Sequence, residues 1–287
     1  MILKNGCSAP DIETVGEAVK EAQPNLAPII SLYEKIFVLQ EQELHTLDQV
    51  PVVLSEDLVQ TRREHGFPLL AKEEFSIDAA SAQKLFKAIC RICSDNNIEA
   101  LDSVEKTVKL LETGQTTFDA MTRLCLESSG QDRLERFAND HGIDTETLEF
   151  LVYNSIKPSI AACARQVAAF LDEDDTEKQG FCPVCGENPA ISMLGENGER
   201  SFACSFCWHQ WQTERIFCPF CNTKENKHLS YLLVEDEKGI RGDVCEKCGK
   251  YVKTIDTREY SRNIYLPLEL LGALPLDMKL AEEGFSN

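Results

Sequence analysis

Positively charged residues are scarce in this chain of 287 residues. It holds 29 Lys and Arg against 48 Asp and Glu, which gives a formal net charge of −19. A surface this negative repels nucleic acids and anionic membranes, so we expect neither of them as a partner. Basic partners, or solubility alone, fit the charge better.

Long apolar stretches are also missing. The longest one, NIYLPLELLGALPL (263–276), is too short to span a bilayer and contains Glu269 and two prolines. The first residues, MILKNGCSAPDIE, have no apolar core of the kind that a secretion signal contains. We therefore expect a cytoplasmic protein without membrane insertion. In that reducing compartment, paired cysteines serve as metal ligands more often than as disulfides.

The common catalytic motifs do not occur in the sequence. It contains no Gly-rich phosphate loop, no His-Glu-x-x-His and no nucleophile elbow. Residue spacing thus gives no catalytic constellation, and we expect the protein not to be an enzyme.

Cysteine, in contrast, is abundant and clustered. Eight of the 13 cysteines form four Cys-x-x-Cys pairs, in the segments FCPVCG, ACSFCW, FCPFCN and VCEKCG. Such a pair places two sulfurs on one side of a tight turn, and two turns together supply the four thiolates of a tetrahedral zinc or iron site. The candidate metal ligands are Cys182, Cys185, Cys204, Cys207, Cys218, Cys221, Cys245 and Cys248.

Sequential pairing of these turns predicts two sites, with 18 residues between the turns of the first and 23 between those of the second. Each gap fits a hairpin that closes its own site, although two other pairings of the four turns remain open. Full sets of thiolates indicate closed structural sites, so we expect two metal ions, iron or zinc, one per site. His209 and His228 are interpreted as surface or packing residues.

The residue after the second cysteine of such a turn often needs a left-handed backbone conformation, which Gly and Asn tolerate best. Gly186, Asn222 and Gly249 comply, whereas Trp208 does not. We therefore expect the turn at Trp208 to be built differently. A fifth Cys-x-x-Cys, at Cys90 and Cys93, lies inside a helical pattern, and we interpret both cysteines as packing residues.

Helical periodicity dominates the first 170 or so residues. It predicts helices over 26–44, 76–93, 98–112, 131–142 and 144–172, with a kink or a break at Pro158 in the last of them. An acidic stretch at 172–180 follows as a predicted linker. Strand-like segments then alternate with turn signals such as those at 195–198 and 237–239.

The fold class is therefore α+β, an N-terminal helical bundle followed by two small β modules, each held by a four-cysteine metal site. The expected domains are a helical domain at 1–178, the two metal modules at 179–214 and 215–258, and a helical tail at 259–287. Residues 181–258 hold 10 Lys and Arg against 11 Asp and Glu, so the acidity belongs to the helical part.

Several segments resemble the family of the formate dehydrogenase accessory protein FdhE. They are FCPVCGENPAISML, RSFACSFCWHQWQTERIFCPFC, RGDVCEKCGKYVKTID, PLDMKLAEEGF and, more weakly, GFPLL at 66–70. The resemblance implies a helical domain with two rubredoxin-like modules that bind iron at the eight cysteines. It also implies a cytoplasmic maturation factor, chaperone-like, that binds the catalytic subunit of a formate dehydrogenase, often one exported with a twin-arginine signal. Because that signal peptide is basic, the acidity of residues 1–180 adds the hypothesis that the chain attracts it as well.

Two other functions compete with this interpretation. A rubredoxin-like electron carrier or metal donor would use the same thiolate sites. A zinc-ribbon protein that binds nucleic acid would need a basic face, which the charge of residues 181–258 does not supply.

Overall fold

The computed structural model describes residues 8–47, 52, 54–96, 98–127, 131–172, 180–233 and 239–287, with only the backbone of residue 131. Cys7, most of the acidic stretch at 172–180 and two residues of the turn predicted at 237–239 lie outside these ranges. The boundary expected at 178 falls there as well. No helix in the described ranges is long and apolar enough to cross a membrane.

Eight helices precede the cysteine-rich region in the described chain, and two follow it. Side chains of Ser55, Asp78, Thr117 and Asp144 accept backbone amides at four of their N-termini, as helix caps do. The helices are α1 (Ala9–Ala22), α2 (Ala27–Thr46), α3 (Glu56–Glu64), α4 (Ala79–Asp95), α5 (Leu101–Glu112), α6 (Phe118–Leu126), α7 (Gln131–His141), α8 (Thr145–Ala168), α9 (Leu266–Gly272) and α10 (Leu274–Glu282).

The long helix α8 is continuous through Pro158, so of the expected kink or break, the break does not occur. A proline inside a helix leaves the carbonyl of the residue four positions earlier without its amide donor. That carbonyl belongs to Asn154, and the side-chain amide of Gln40 in α2 donates to it at 2.7 Å. A side chain from a neighbouring helix thus satisfies the group that the proline leaves unpaired.

Six strands form one mixed sheet in the order β3-β2-β1-β6-β5-β4. β1 and β6 pair in parallel, with Ile191 opposite Lys253, and all other neighbours are antiparallel. The strands of the two predicted metal modules therefore join side by side in a single sheet. The strands are β1 (Pro189–Leu194), β2 (Arg200–Cys204), β3 (Gln210–Thr213), β4 (Leu229–Leu232), β5 (Ile240–Cys245) and β6 (Lys250–Asp256).

Three clusters of buried apolar side chains connect these layers. The largest runs from the helical part into the first two cysteine turns and includes Phe202 and Trp211 of the sheet. A second fills the space between the sheet and the tail, where Leu276 and Leu280 of α10 are fully buried. In the third, Leu268 of α9 packs against α1 and α2. The C-terminal helices thus hold the sheet and the helical part together.

Candidate metal centres

The four cysteine turns share one backbone conformation. The residue after the second cysteine has a left-handed φ in each of them: 79° at Gly186, 58° at Trp208, 56° at Asn222 and 72° at Gly249. The expectation that the turn at Trp208 differs is therefore wrong. The Trp208 ring lies 4.9 Å from the Nζ of Lys157 in α8, a cation–π contact that offsets part of its backbone strain.

The turns bring the eight cysteines together in two groups, by sequential pairing. Within each group the four sulfurs lie within 4.8 Å of one another. The closest sulfur pairs are 3.4 and 3.6 Å apart in the first group, and 3.6 and 3.7 Å apart in the second. Four thiolates about 2.3 Å from a zinc ion are roughly 3.8 Å from one another. Site 1 comprises Cys182, Cys185, Cys204 and Cys207, and site 2 comprises Cys218, Cys221, Cys245 and Cys248.

In each site, hydrogen bonds hold the pKa of a cysteine thiol below its ordinary value. Burial raises the pKa of Cys204, but hydrogen bonds from the other three thiols of site 1 and from a backbone amide bring that pKa well below its ordinary value. The pKa of Cys221 is likewise raised by burial, then lowered below its ordinary value by the Thr223 amide and the other thiols of site 2. Four sulfurs within 4.8 Å of one another are a donor set that fits a tetrahedral Zn or Fe ion, which binds cysteine as the thiolate.

Site 1 is built into the helical part of the molecule. All four of its cysteines are buried. The amides of Leu69 and Leu70 donate to the carbonyls of Pro183 (3.0 Å) and Val184 (2.8 Å), inside the first turn. The segment GFPLL at 66–70 therefore binds the turn by its backbone, as a neighbouring strand would.

The second turn of site 1 is held by aromatic side chains. Phe206 makes an edge-on contact with Phe75, with 5.3 Å between ring centres, and its carbonyl accepts the hydroxyl of Tyr153 in α8. The Nζ of Lys72 lies 5.2 Å from the centre of the same ring and 2.8 Å from a carboxylate oxygen of Glu187. Site 1 is thus fixed from two sides by the helical part.

Site 2 lies at the other half of the sheet and is more open. Cys221 and Cys248 are partly exposed, while Cys218 and Cys245 are buried. The end of the chain supports this site, since Ser286 exchanges backbone hydrogen bonds with Gly249 and Tyr251, each 2.9 Å long.

The other described cysteines stand apart from both sites. Cys90 and Cys93 lie in α4 and are buried, which raises their pKa values to about 12 and about 11. Burial also raises the pKa of Cys125 to about 12 and that of Cys163 above its ordinary value. These thiols stay protonated at neutral pH, as packing residues do.

Neither of the two nearby histidines belongs to a four-cysteine group. The His209 ring is stacked on Trp211, with 3° between the planes, and burial lowers its pKa. His228 is 3.9 Å from a carboxylate oxygen of Glu225. Sequence analysis missed the buried Arg200, which donates to Asp243 at 3.1 Å, because an isolated arginine in a strand segment carries no signal of burial.

Comparison with known proteins agrees with this architecture. A family model described as FdhE, central domain, matches residues 181–215, which contain site 1. A protein FdhE homolog of Aquifex aeolicus is 24% identical over 272 residues, 93% of this chain and 88% of that protein. A protein FdhE homolog of Pseudomonas aeruginosa is 36% identical over 121 residues, which are 39% of this chain and 38% of that one.

A solved structure shows the same fold over the whole chain. The crystal structure of the FdhE protein from Pseudomonas aeruginosa superposes with a TM-score of 0.66 at 22% identity, and covers 100% of this chain and 96% of its own. Together with the four cysteine turns and the matched central domain, these comparisons show that the chain is similar to FdhE proteins in its central segment and in its fold.

Proposed function

We propose that this chain is a formate dehydrogenase accessory factor, which binds the catalytic subunit of the enzyme in the cytoplasm during assembly or before export and performs no turnover. Similarity to FdhE proteins supports the proposal. The structural observation that carries it is the attachment of site 1 to the helical part through the amides of Leu69 and Leu70. A metal ion in site 1 would hold helices and sheet in one arrangement, as a binding scaffold requires.

We further propose that the eight cysteines of sites 1 and 2 bind two metal ions, iron or zinc, one per site. The sulfur spacing and the four-thiol donor sets support this assignment. Metal analysis of the purified protein should give two ions per chain, and one ion per chain after the double substitution Cys218→Ser and Cys221→Ser.

The charge distribution suggests how the chain would attract the catalytic subunit of a formate dehydrogenase. Residues 1–180 hold 17 Lys and Arg against 32 Asp and Glu. A twin-arginine signal peptide is basic, so an acidic helical surface would attract it over a distance of about a Debye length. If signal-peptide variants without the basic residues bind equally well, this route of attraction is wrong.

A pull-down tests the central proposal. The tagged full-length chain is used as bait in its native organism, grown anaerobically on formate, and captured proteins are identified by mass spectrometry. We expect the large catalytic subunit of a formate dehydrogenase with the unmodified bait, and its loss with Cys218→Ser and Cys221→Ser. The matched bait Cys125→Ser alters a cysteine outside both sites and should retain the subunit. Capture of no such subunit by the unmodified bait would refute the proposal.

One observation favours a second candidate, an electron carrier or metal donor. The partial exposure of Cys221 and Cys248 would let electrons or metal ions pass between site 2 and a partner. An iron-loaded protein would then show visible absorption bands that bleach reversibly on reduction. Retention of this behaviour in a variant that no longer captures the catalytic subunit would support this second function over the first.

A further inference from the structure

A small cavity opens beside site 2, between the turn that contains Cys218 and strands β4, β5 and β6. Its volume is about 150 Å³, and both Cys218 and Cys245 border it. An occupant of this cavity would therefore lie next to the more open of the two metal sites. β4 is the edge strand of the sheet on this side.

The charge of the cavity is opposite to that of the chain as a whole. Its lining has four cations and one carboxylate, a sum of +3, whereas the whole chain carries −19. A divalent ion with four thiolates in site 2 would add a formal charge of −2 at one border of the cavity. The +3 of the lining side chains is larger than this charge. The charged lining residues are Arg200, Arg215, Arg241, Lys250 and Asp243.

The single carboxylate is already used within the protein. Asp243 accepts from Arg200 at 3.1 Å and from the Nε of Arg241 at 2.8 Å. Arg200 also donates to the carbonyls of Arg215 (3.3 Å) and Phe217 (3.1 Å), so its own charge is enclosed. Asp243 thus fixes two of the cations in place and does not neutralise the remaining ones.

Of the other cations, Arg215 directs its guanidinium toward the β1–β2 turn, where a Cβ on Gly198 would be 2.9 Å from Nη1, and Lys250 is partly exposed. Neither Arg215 nor Lys250 forms an ion pair within the described ranges. The Nζ of Lys250 lies 4.9 Å from the ring centre of Phe220, and the guanidinium of Arg241 lies 4.7 Å from that of Tyr231. Aromatic rings therefore position Lys250 and Arg241. The ammonium donors of Lys250 remain available to an anion, whereas Arg241 already donates its Nε–H to Asp243.

We propose that this cavity binds an acidic side chain of a partner polypeptide. Its volume suits a carboxylate with one or two methylene groups. Ile216 and Tyr231 border the cavity and are 54% and 56% exposed, which offers apolar contact to the residues that flank the acid. A free small anion would leave these two side chains without a role. The inference stands whether or not the partner is a formate dehydrogenase.

Fluorescence anisotropy with a defined peptide tests the proposal on the metal-loaded full-length protein. The probe is a labelled ten-residue peptide of alternating leucine and aspartate, and its reference is the same peptide with asparagine. We expect the aspartate peptide to bind at least about tenfold more tightly, since a carboxylate among unpaired cations is favoured over an amide. Added salt should reduce this preference.

Variants then locate the binding site. Lys250→Gln should weaken binding of the aspartate peptide several-fold, and Arg215→Gln should weaken it less, because its guanidinium lies toward Gly198. Lys227→Gln and Arg123→Gln, which remove exposed cations elsewhere, should leave it unchanged. Metal content and thermal unfolding, measured for each variant, identify any loss that comes from damage to site 2.

Three results would overturn the proposal. Equal affinity for the aspartate and asparagine peptides would show that no carboxylate is recognised. Full displacement of the peptide by glutarate at an equal concentration would assign the cavity to a small free anion. Stronger competition by a single-stranded oligonucleotide of equal charge would assign it to nucleic acid. None of these results depends on capture of a formate dehydrogenase subunit.

Discussion

Sites 1 and 2 have the same ligands and the same turn conformation, yet they lie in different surroundings. Site 1 is fully buried and belongs to the same apolar cluster as the helices. Site 2 has two partly exposed cysteines and borders a cation-lined cavity. Identical cysteine turns therefore occur in two settings within one sheet: the first group is enclosed in the core that it shares with the helices, and the second is partly accessible from outside.

The largest difference should come from removal of a ligand at each site. We expect Cys204→Ser to destabilise the helical part so strongly that its cooperative unfolding transition is lost. A structural metal contributes on the order of 10 kcal/mol to folding, and site 1 lies in the core that the helices share. Cys221→Ser should lose one metal ion and leave the helical part folded. Urea unfolding, followed by the helical circular dichroism signal, measures both effects.

The control for this pair is Cys125→Ser, which lies in neither site. Equal loss of helical stability in Cys204→Ser and Cys221→Ser would show that both metal sites stabilise the helices to the same extent through the sheet. The contrast between a core site and a surface site would then be wrong.

Metal release should separate the two sites in time. With excess EDTA, we expect a fast phase from site 2 and a slow phase from site 1, because a buried site releases its ion only when the surrounding structure opens. The rates should differ by roughly tenfold or more. In Cys221→Ser the fast phase should disappear. A single phase in the unmodified protein would contradict the prediction.

Lys157, which contacts the Trp208 turn of site 1, is expected to make the stability of the native protein depend on pH. Its Nζ lies 4.7 Å from the ring centre of Phe37 and 4.9 Å from that of Trp208. Burial lowers its pKa from 10.5 to about 8, against a smaller opposing effect of the Glu41 carboxylate. Between these two pH values the unfolded chain binds a proton that the native protein has released, so native stability rises with pH over that window.

Two substitutions measure this effect. Lys157→Met removes the titrating group, so its unfolding free energy lacks this rise with pH. Any excess of its unfolding free energy over that of the unmodified protein should therefore shrink as pH rises from about 8 to 10.5. Lys157→Arg keeps its charge throughout, so it should lose stability relative to the unmodified protein over the same window. A difference that does not vary with pH would show that Lys157 keeps an ordinary pKa.

Local spacing made the cysteine turns and the sequential grouping of their sulfurs predictable, because a Cys-x-x-Cys turn is determined within a few residues. The helices α1, α3 and α6 were missed, although Ser55 and Thr117 are signals for the starts of the last two. The continuity of α8 at Pro158 and the left-handed backbone at Trp208 were not predictable for a different reason. Gln40 and Lys157 compensate these residues from distant parts of the chain, and no local pattern contains such a contact.

The pairing of β1 with β6, which joins the two halves of the sheet, could not be predicted from the sequence for the same reason. The parallel pair of β1 and β6 connects segments about 60 residues apart, and the sequence marks each strand but not its partner. The cavity beside site 2 follows from that arrangement, since Arg200 comes from one half of the sheet and Arg241 from the other.

The smallest expected effect compares two glycines at equivalent positions. A Cβ atom at Gly249 in site 2 would have nothing within 4 Å, whereas one at Gly186 in site 1 would lie 3.0 Å from Cγ of Pro68. Gly249→Ala should therefore cost only the left-handed backbone penalty, about 1 kcal/mol. Gly186→Ala should cost about 2 kcal/mol, because it must also displace the segment that donates the amides of Leu69 and Leu70. Urea unfolding of the metal-loaded proteins measures both costs, and equal values would mean that this segment yields freely and that site 1 is less tightly held than its buried contacts indicate.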